Sequence, residues 1–195
     1  MTSSRLEAFS DGILAIVITV MVLGLKAPDT ESLSSLLKTI PGLLAYVLSF
    51  IYVAIYWNNH HNLMISITKI NGVILWINNL WLFCVSLIPW STDWVSRFYN
   101  KTLPVMVYGI VLFFTALSYF ILQNQIIKYS EHSKIIKRII GKDLKAKAST
   151  VIYIFSILMA PFSVFLAELG YITVAAIWFI PDNRFEKALG DKWID

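Results

Sequence analysis

The chain has 195 residues, 57% of them apolar and 14% charged, with a mean hydropathy of +0.69 and a net charge of +4. That apolar excess is too large for a soluble domain, and it falls into blocks of roughly 17–25 residues, the length a helix needs to cross about 30 Å of hydrocarbon. One membrane domain accounts for the whole length, no soluble catalytic domain has room beside it, and the single cysteine, Cys84, excludes an intrachain disulfide.

The first block opens with Arg5-Leu-Glu-Ala-Phe-Ser-Asp-Gly12 and continues as an unbroken apolar run, so a helix is expected over about 6–25, stopped by Lys26-Ala-Pro28. Asp11 interrupts its start and no small-x-small cleavage site follows, which favours a retained span over a signal peptide. Residues 29–39 are expected to form a short amphipathic turn. The second span is placed at 41–61, because Pro41-Gly42 suits a helix start. A third span is expected over 72–90 and a fourth over 103–123. The fifth, 149–167, and the sixth, 169–180, are joined in this reading by a polar turn at Glu168-Leu-Gly170. The sixth is short and closed by Pro181, so a five-helix alternative, with the last two blocks forming one broken helix, stays open.

Basic residues orient the six spans. One side would hold Arg5, Lys69, the segment with Lys128, Lys134, Lys137, Arg138, Lys142, Lys145 and Lys147, and the tail with Arg184, Lys187 and Lys192, twelve in all. The other would hold only Lys26, Lys38, Arg97 and Lys101. Lys and Arg favour the cytoplasmic side, so both termini are expected there. The positive charge is accounted for as a topology signal, with anionic lipid head groups as a secondary contact and no nucleic-acid partner.

Within the first span, Gly12, Ile16, Thr19 or Val20, and Leu23 share one helical stripe, apolar apart from a single hydroxyl. Such a stripe serves equally well facing lipid or a neighbouring helix. Polar groups at membrane depth are more telling, because they are costly unless paired or wetted. They recur as Arg5, Ser10 and Asp11, as Trp57-Asn-Asn-His-His61, and as Trp76-Ile-Asn-Asn-Leu80 followed by Val85-Ser-Leu-Ile-Pro-Trp90. A metal site is disfavoured, since adjacent histidines diverge on a helix and the His-x-x-x-His spacing is missing.

These segments, in this order, resemble the RxxxFSDG, WxNHH and LWLN…VSLLPFP signatures of the transmembrane protein 175 family, which contains the lysosomal/endosomal potassium channel and smaller bacterial relatives. The likeness covers about residues 5–95; Asn62 and Trp90-Ser91 depart from it at helix ends. The resemblance implies an all-α, six-helix subunit of a homotetramer, with helix one lining a central pore in the bacterial cytoplasmic membrane. It puts an apolar constriction at Ile16, a selectivity-linked polar ring at Thr19, and further apolar pore positions at Val20 and Leu23. It also implies a structural network of Arg5, Phe9, Ser10, Asp11, Trp57, Asn78 and His60 or His61, in which Asp11 accepts from Arg5 and from an imidazole. Potassium would be the permeant ion, with no cofactor.

A TVGYG filter is absent from the sequence, so selectivity of that type is excluded. A small secondary transporter or a proton-conducting membrane protein is the competing reading, although no internal repeat is visible. An enzyme is disfavoured: Ser10 and Asp11 are adjacent and cannot pair on one helical face, and neither G-x-S-x-G nor HExxH occurs.

Overall fold

The computed structural model describes residues 2–130 and 144–179, and among them the only regular elements are helices. In chain order these are α1 (Ser3–Leu23), α2 (Leu33–Ile65), α3 (Gly72–Ser86), α4 (Ile88–Arg97), α5 (Thr102–Tyr129), α6 (Leu144–Met159) and α7 (Val164–Phe179). α3 and α4 form one apolar unit over Gly72–Arg97, bent at Leu87 because Pro89 has no N–H for the helical ladder. The described residues therefore form six helical units. Four of them, α1, α2, α3–α4 and α5, are long and apolar enough to cross a membrane, and α7 is a shorter apolar helix.

α2 and α3 start where a polar side chain takes an orphan N–H. Ser32 accepts from the amide of Ser35 at 3.2 Å, and Asn71 accepts from that of Ile74 at 2.9 Å. The Ser32 cap explains the first departure from expectation. α2 begins at Leu33 rather than at Pro41, and Pro41 lies inside the helix. Membrane helices tolerate an internal proline where neighbours re-satisfy the freed backbone groups. Gly42, beside it, faces Ser96 of α4.

The last two helices differ more. The connection is at residues 160–163, not at Glu168-Leu-Gly170, which lies inside α7. Pro161 ends α6, the amide of Ser163 donates to Met159 at 2.8 Å, and the Ser163 hydroxyl accepts from Leu166 at 3.3 Å. Gly170 is there for contact: a side chain at that position would collide with the Ser156 hydroxyl. Gly109 of α5 plays the same part against the Tyr171 ring of α7.

α1 packs against α2, α3 and α4, while α5, α6 and α7 pack on one another, joined to the rest through α3, α4 and α2. Between the two groups runs a buried polar column in which Ser49 of α2 lies 2.7 Å from the Thr92 hydroxyl of α4 and 3.0 Å from Tyr108 of α5. The start of α1, the α2–α3 connection and the end of α5 share one end of the bundle. There the Ser3 amide donates to Thr68 at 3.2 Å and the Ser130 hydroxyl to Ser66 at 2.6 Å. At the other end Lys26, Lys38, Asp93 and Arg97 line a cleft of about 300 Å³. The basic positions between 134 and 142, and the tail from 180, lie outside the described residues.

Candidate functional site

α1 has two faces of opposite character. Leu6, Ser10, Leu14, Val17 and Met21 recur every three or four residues and are buried against α2, α3 and α4. The opposite stripe is open along its whole length: Arg5, Phe9, Gly12, Ile16, Thr19, Val20 and Leu23 are all exposed on the single chain. Ile16 is 63% exposed and Leu23 78%, which is far more than a core-packing aliphatic side chain retains. The Thr19 hydroxyl donates to the Ala15 carbonyl at 2.8 Å. With its proton committed to the helix, that oxygen presents only lone pairs outward.

The polar cluster is built in two layers where α1 and α2 run antiparallel. The outer layer is a two-rung ladder. The Trp57 indole N–H donates to Asp11 Oδ1 at 3.1 Å, and one turn away His61 Nδ1 lies 2.6 Å from Glu7 Oε1. Both rungs are spaced by four residues on each helix, which is why they align. The inner layer is fully buried. Asn78 Nδ2 donates to the Ser10 hydroxyl at 3.1 Å, and Ser10 in turn donates to the Leu6 carbonyl at 2.8 Å. That direction leaves Asn78 Oδ1 as an acceptor, so His60 Nε2, 3.0 Å away, carries the proton. The His60 ring stacks on Trp81 with centroids 4.8 Å apart and planes 12° apart, and its Nδ1 is buried with no partner among the described residues.

Of the residues expected to cooperate, the structure brings together Ser10, Asn78 and His60 in one layer, and Asp11, Trp57 and His61 in the other. It does not bring Arg5 to Asp11. Arg5 is exposed and makes no ion pair among the described residues; Asp11 takes the indole instead of the guanidinium or an imidazole. The reason is helical geometry: Arg5 lies on the open stripe with Phe9, whereas Asp11 lies on the side turned to α2. Phe9, 55% exposed, is likewise outside the network. Sequence reasoning missed two participants. Glu7 lies one turn before Asp11, and Trp81 lies one turn after Asn78, so each could have been found by extending the helical face by one step.

Beside the open stripe, Ile13, Ile16, Val20, Tyr46, Pro89 and Trp90 line a mostly apolar cleft of about 590 Å³. The chain thus offers a helix tied down on one face by side-chain bridges, and open on the other with one oxygen among branched aliphatics.

Known proteins resemble this chain in sequence and in fold. A family model described as the endosomal/lysosomal potassium channel TMEM175 matches residues 5–89. A potassium channel of Chryseobacterium sp. (strain P1-3) is 47% identical over 98% of this chain and 100% of its own length. The crystal structure of a lysosomal potassium-selective channel TMEM175 homologue from Chamaesiphon minutus is similar at a TM-score of 0.79. It is 25% identical, with 93% of this chain and 98% of that one covered. The endosomal/lysosomal proton channel TMEM175 of Gallus gallus is 29% identical over 62% of this chain, which spans only 27% of that longer protein.

Proposed function

The chain belongs to the transmembrane protein 175 family, and from that membership we propose that it is one subunit of a homotetrameric, potassium-preferring cation channel in a bacterial cytoplasmic membrane. Ions cross passively along a central axis lined by four copies of α1, and no cofactor takes part. The observation that carries this reading is the open stripe of α1, with Ile16 and Leu23 exposed while the opposite face is packed. Ile16 forms the narrowest ring, where branched side chains exclude water; Val20 and Leu23 extend the apolar path. Thr19 adds a ring of hydroxyl oxygens, whose outward lone pairs partly replace the hydration shell of a passing potassium ion.

The polar layers beside the pore act as a brace. Asp11–Trp57 and Glu7–His61 hold α1 to α2, and Ser10–Asn78–His60 ties it to α3 and α2. Arg5 and Phe9 continue the open stripe towards the helix start and meet neighbouring copies there. Both termini lie on the cytoplasmic side, by the distribution of Lys and Arg. Chemistry at Ser10 and Asp11 has no geometric support, since the serine proton goes to Leu6 and the carboxylate to Trp57. The matched proteins are channels, not enzymes.

The test is potassium flux into liposomes carrying the purified protein. Ile16→Asn makes the ring wettable and is expected to raise flux by roughly tenfold, equivalent to about 1.4 kcal/mol off the barrier. Unchanged flux through a correctly assembled variant removes Ile16 as the constriction. The name of the animal relative supports a second reading, proton conduction. A pH-sensitive dye in the same liposomes separates the two: acidification that outruns potassium entry favours protons.

A further inference from the structure

A third cleft, of about 500 Å³, opens between α2, α5, α6 and α7, with no wall from the α1, α3 or α4 helices. Its lining runs from Tyr52 to Asn59 on α2, from Ala116 to Gln123 on α5 and from Ala146 to Tyr153 on α6. Each of those stretches is about 10 Å long at the helical rise of about 1.5 Å per residue. The character of the walls changes along that length. Ile55, Ala116, Leu117, Phe120 and Val151 make an apolar slot. Asn59, Gln123, Lys147 and Trp178 gather at one end, the end that also carries the buried His60–Asn78 pair and the α2–α3 connection.

That polar rim is held in place. The Trp178 indole donates to the Ser149 hydroxyl at 2.9 Å, and the Lys145 ammonium sits 5.9 Å from the Trp178 ring centre. Lys147 is exposed at the mouth and has no ion-pair partner among the described residues. The chain between residues 128 and 147 carries seven Lys or Arg against two acids, so Lys147 and Lys145 belong to a strongly cationic stretch of sequence. An apolar slot opening beneath a lysine rim matches one class of occupant in a membrane: a lipid tail under an anionic head group.

We propose that this cleft binds one acyl chain of an anionic phospholipid per subunit, with the phosphate of the head group held by Lys147 and Lys145. The site is independent of the conduction path and requires only that the chain sit in a bilayer.

The experiment is native mass spectrometry of the full-length protein in mild detergent, with phosphatidylglycerol or phosphatidylcholine of identical chains added. One phosphatidylglycerol per subunit is expected to be retained, in preference to phosphatidylcholine. Lys147→Gln should lower phosphatidylglycerol retention by about fivefold, the loss expected for one basic contact to an anionic surface, and leave phosphatidylcholine unaltered. Ala116→Trp fills the slot and should abolish retention of both. Should that variant fail to fold, Val151→Trp, at a wall position 66% exposed, serves the same purpose. Equal retention of the two head groups, or unaltered retention once the slot is filled, overturns the proposal. Neither readout depends on flux, so failure here leaves the reading of α1 standing.

Discussion

The two halves of the bundle spend their polar groups differently. In α1–α3 the bonds run from side chain to side chain: Asp11 with Trp57, Glu7 with His61, Ser10 with Asn78 and Asn78 with His60. In α5–α7, and in α2 where it meets them, side-chain links are fewer, Ser49 with Tyr108 and Trp178 with Ser149, and other hydroxyls reach backbone. Tyr52 donates to the Tyr171 carbonyl at 2.6 Å, Tyr171 to Val105 at 3.2 Å and Thr115 to Val111 at 2.8 Å. Gly109 and Gly170 then set how near the helices come. The first half is joined by discrete links, each removable by itself; the second is joined by shape, as membrane helices generally are when small residues let backbones approach. Substitutions should therefore act all-or-none in the second half and in graded steps in the first.

The largest effect is expected where shape is violated. Gly109→Leu drives a branched side chain into the Tyr171 ring and Ile157, and should cost about 3 kcal/mol or prevent folding, at the upper end of overpacking penalties. Thermal unfolding in detergent measures it. Gly109→Ala combined with Tyr171→Phe should recover part of the loss, since the Tyr171 hydroxyl is what an added methyl meets first. A freely tolerated leucine would mean that the α5–α7 contact is loose.

Next comes Asn78→Ala. It leaves the buried His60 Nε2–H without an acceptor and deprives Ser10 of a donor, whereas the Ser10 proton keeps the Leu6 carbonyl. An orphaned buried donor costs roughly 1–3 kcal/mol, so a lowered unfolding temperature with assembly retained is expected. A loss as large as that of Gly109→Leu would erase the distinction between links and shape.

That distinction also governs what could be read from the amino acids alone. Asn78, His60, Ser10, Asp11 and Trp57 stood out because polar groups are scarce and costly at membrane depth, and helical spacing put them on facing sides. Gly109 and Gly170 carried no such signal. Gly170 next to Glu168 looked like a turn, because glycine serves both turns and close contacts, and only the neighbour Ser156 decides between them. Pro41 was misleading for a similar reason: it reads as a helix start, yet the Ser32 cap had already begun α2. The Arg5–Asp11 pairing failed on helix phase. The residues are six apart, closer to opposite faces than to one.

A smaller effect is expected on the open stripe, where no packing is lost. Thr19→Val keeps the volume and removes the outward oxygen, so assembly and unfolding temperature should hold. The potassium-to-sodium permeability ratio should shift by roughly threefold, about 0.7 kcal/mol. An unaltered ratio in a well-expressed variant takes Thr19 out of the proposed selectivity ring.

The smallest effect should come from Trp57→Phe. It removes the indole donor to Asp11 but keeps an aromatic ring where Trp57 is 47% exposed. At that exposure water or a lipid head group can take over the carboxylate, so the net loss should be near 0.5 kcal/mol, the low end for a hydrogen bond. Glu7 and His61 form the second rung at 2.6 Å, so α1 keeps one link to α2. Combining Trp57→Phe with His61→Ala removes both rungs, and a loss well beyond the sum of the single changes would show that the rungs act together. Strict additivity would mean that the buried Asn78 layer alone positions α1, with the ladder no more than a solvated edge.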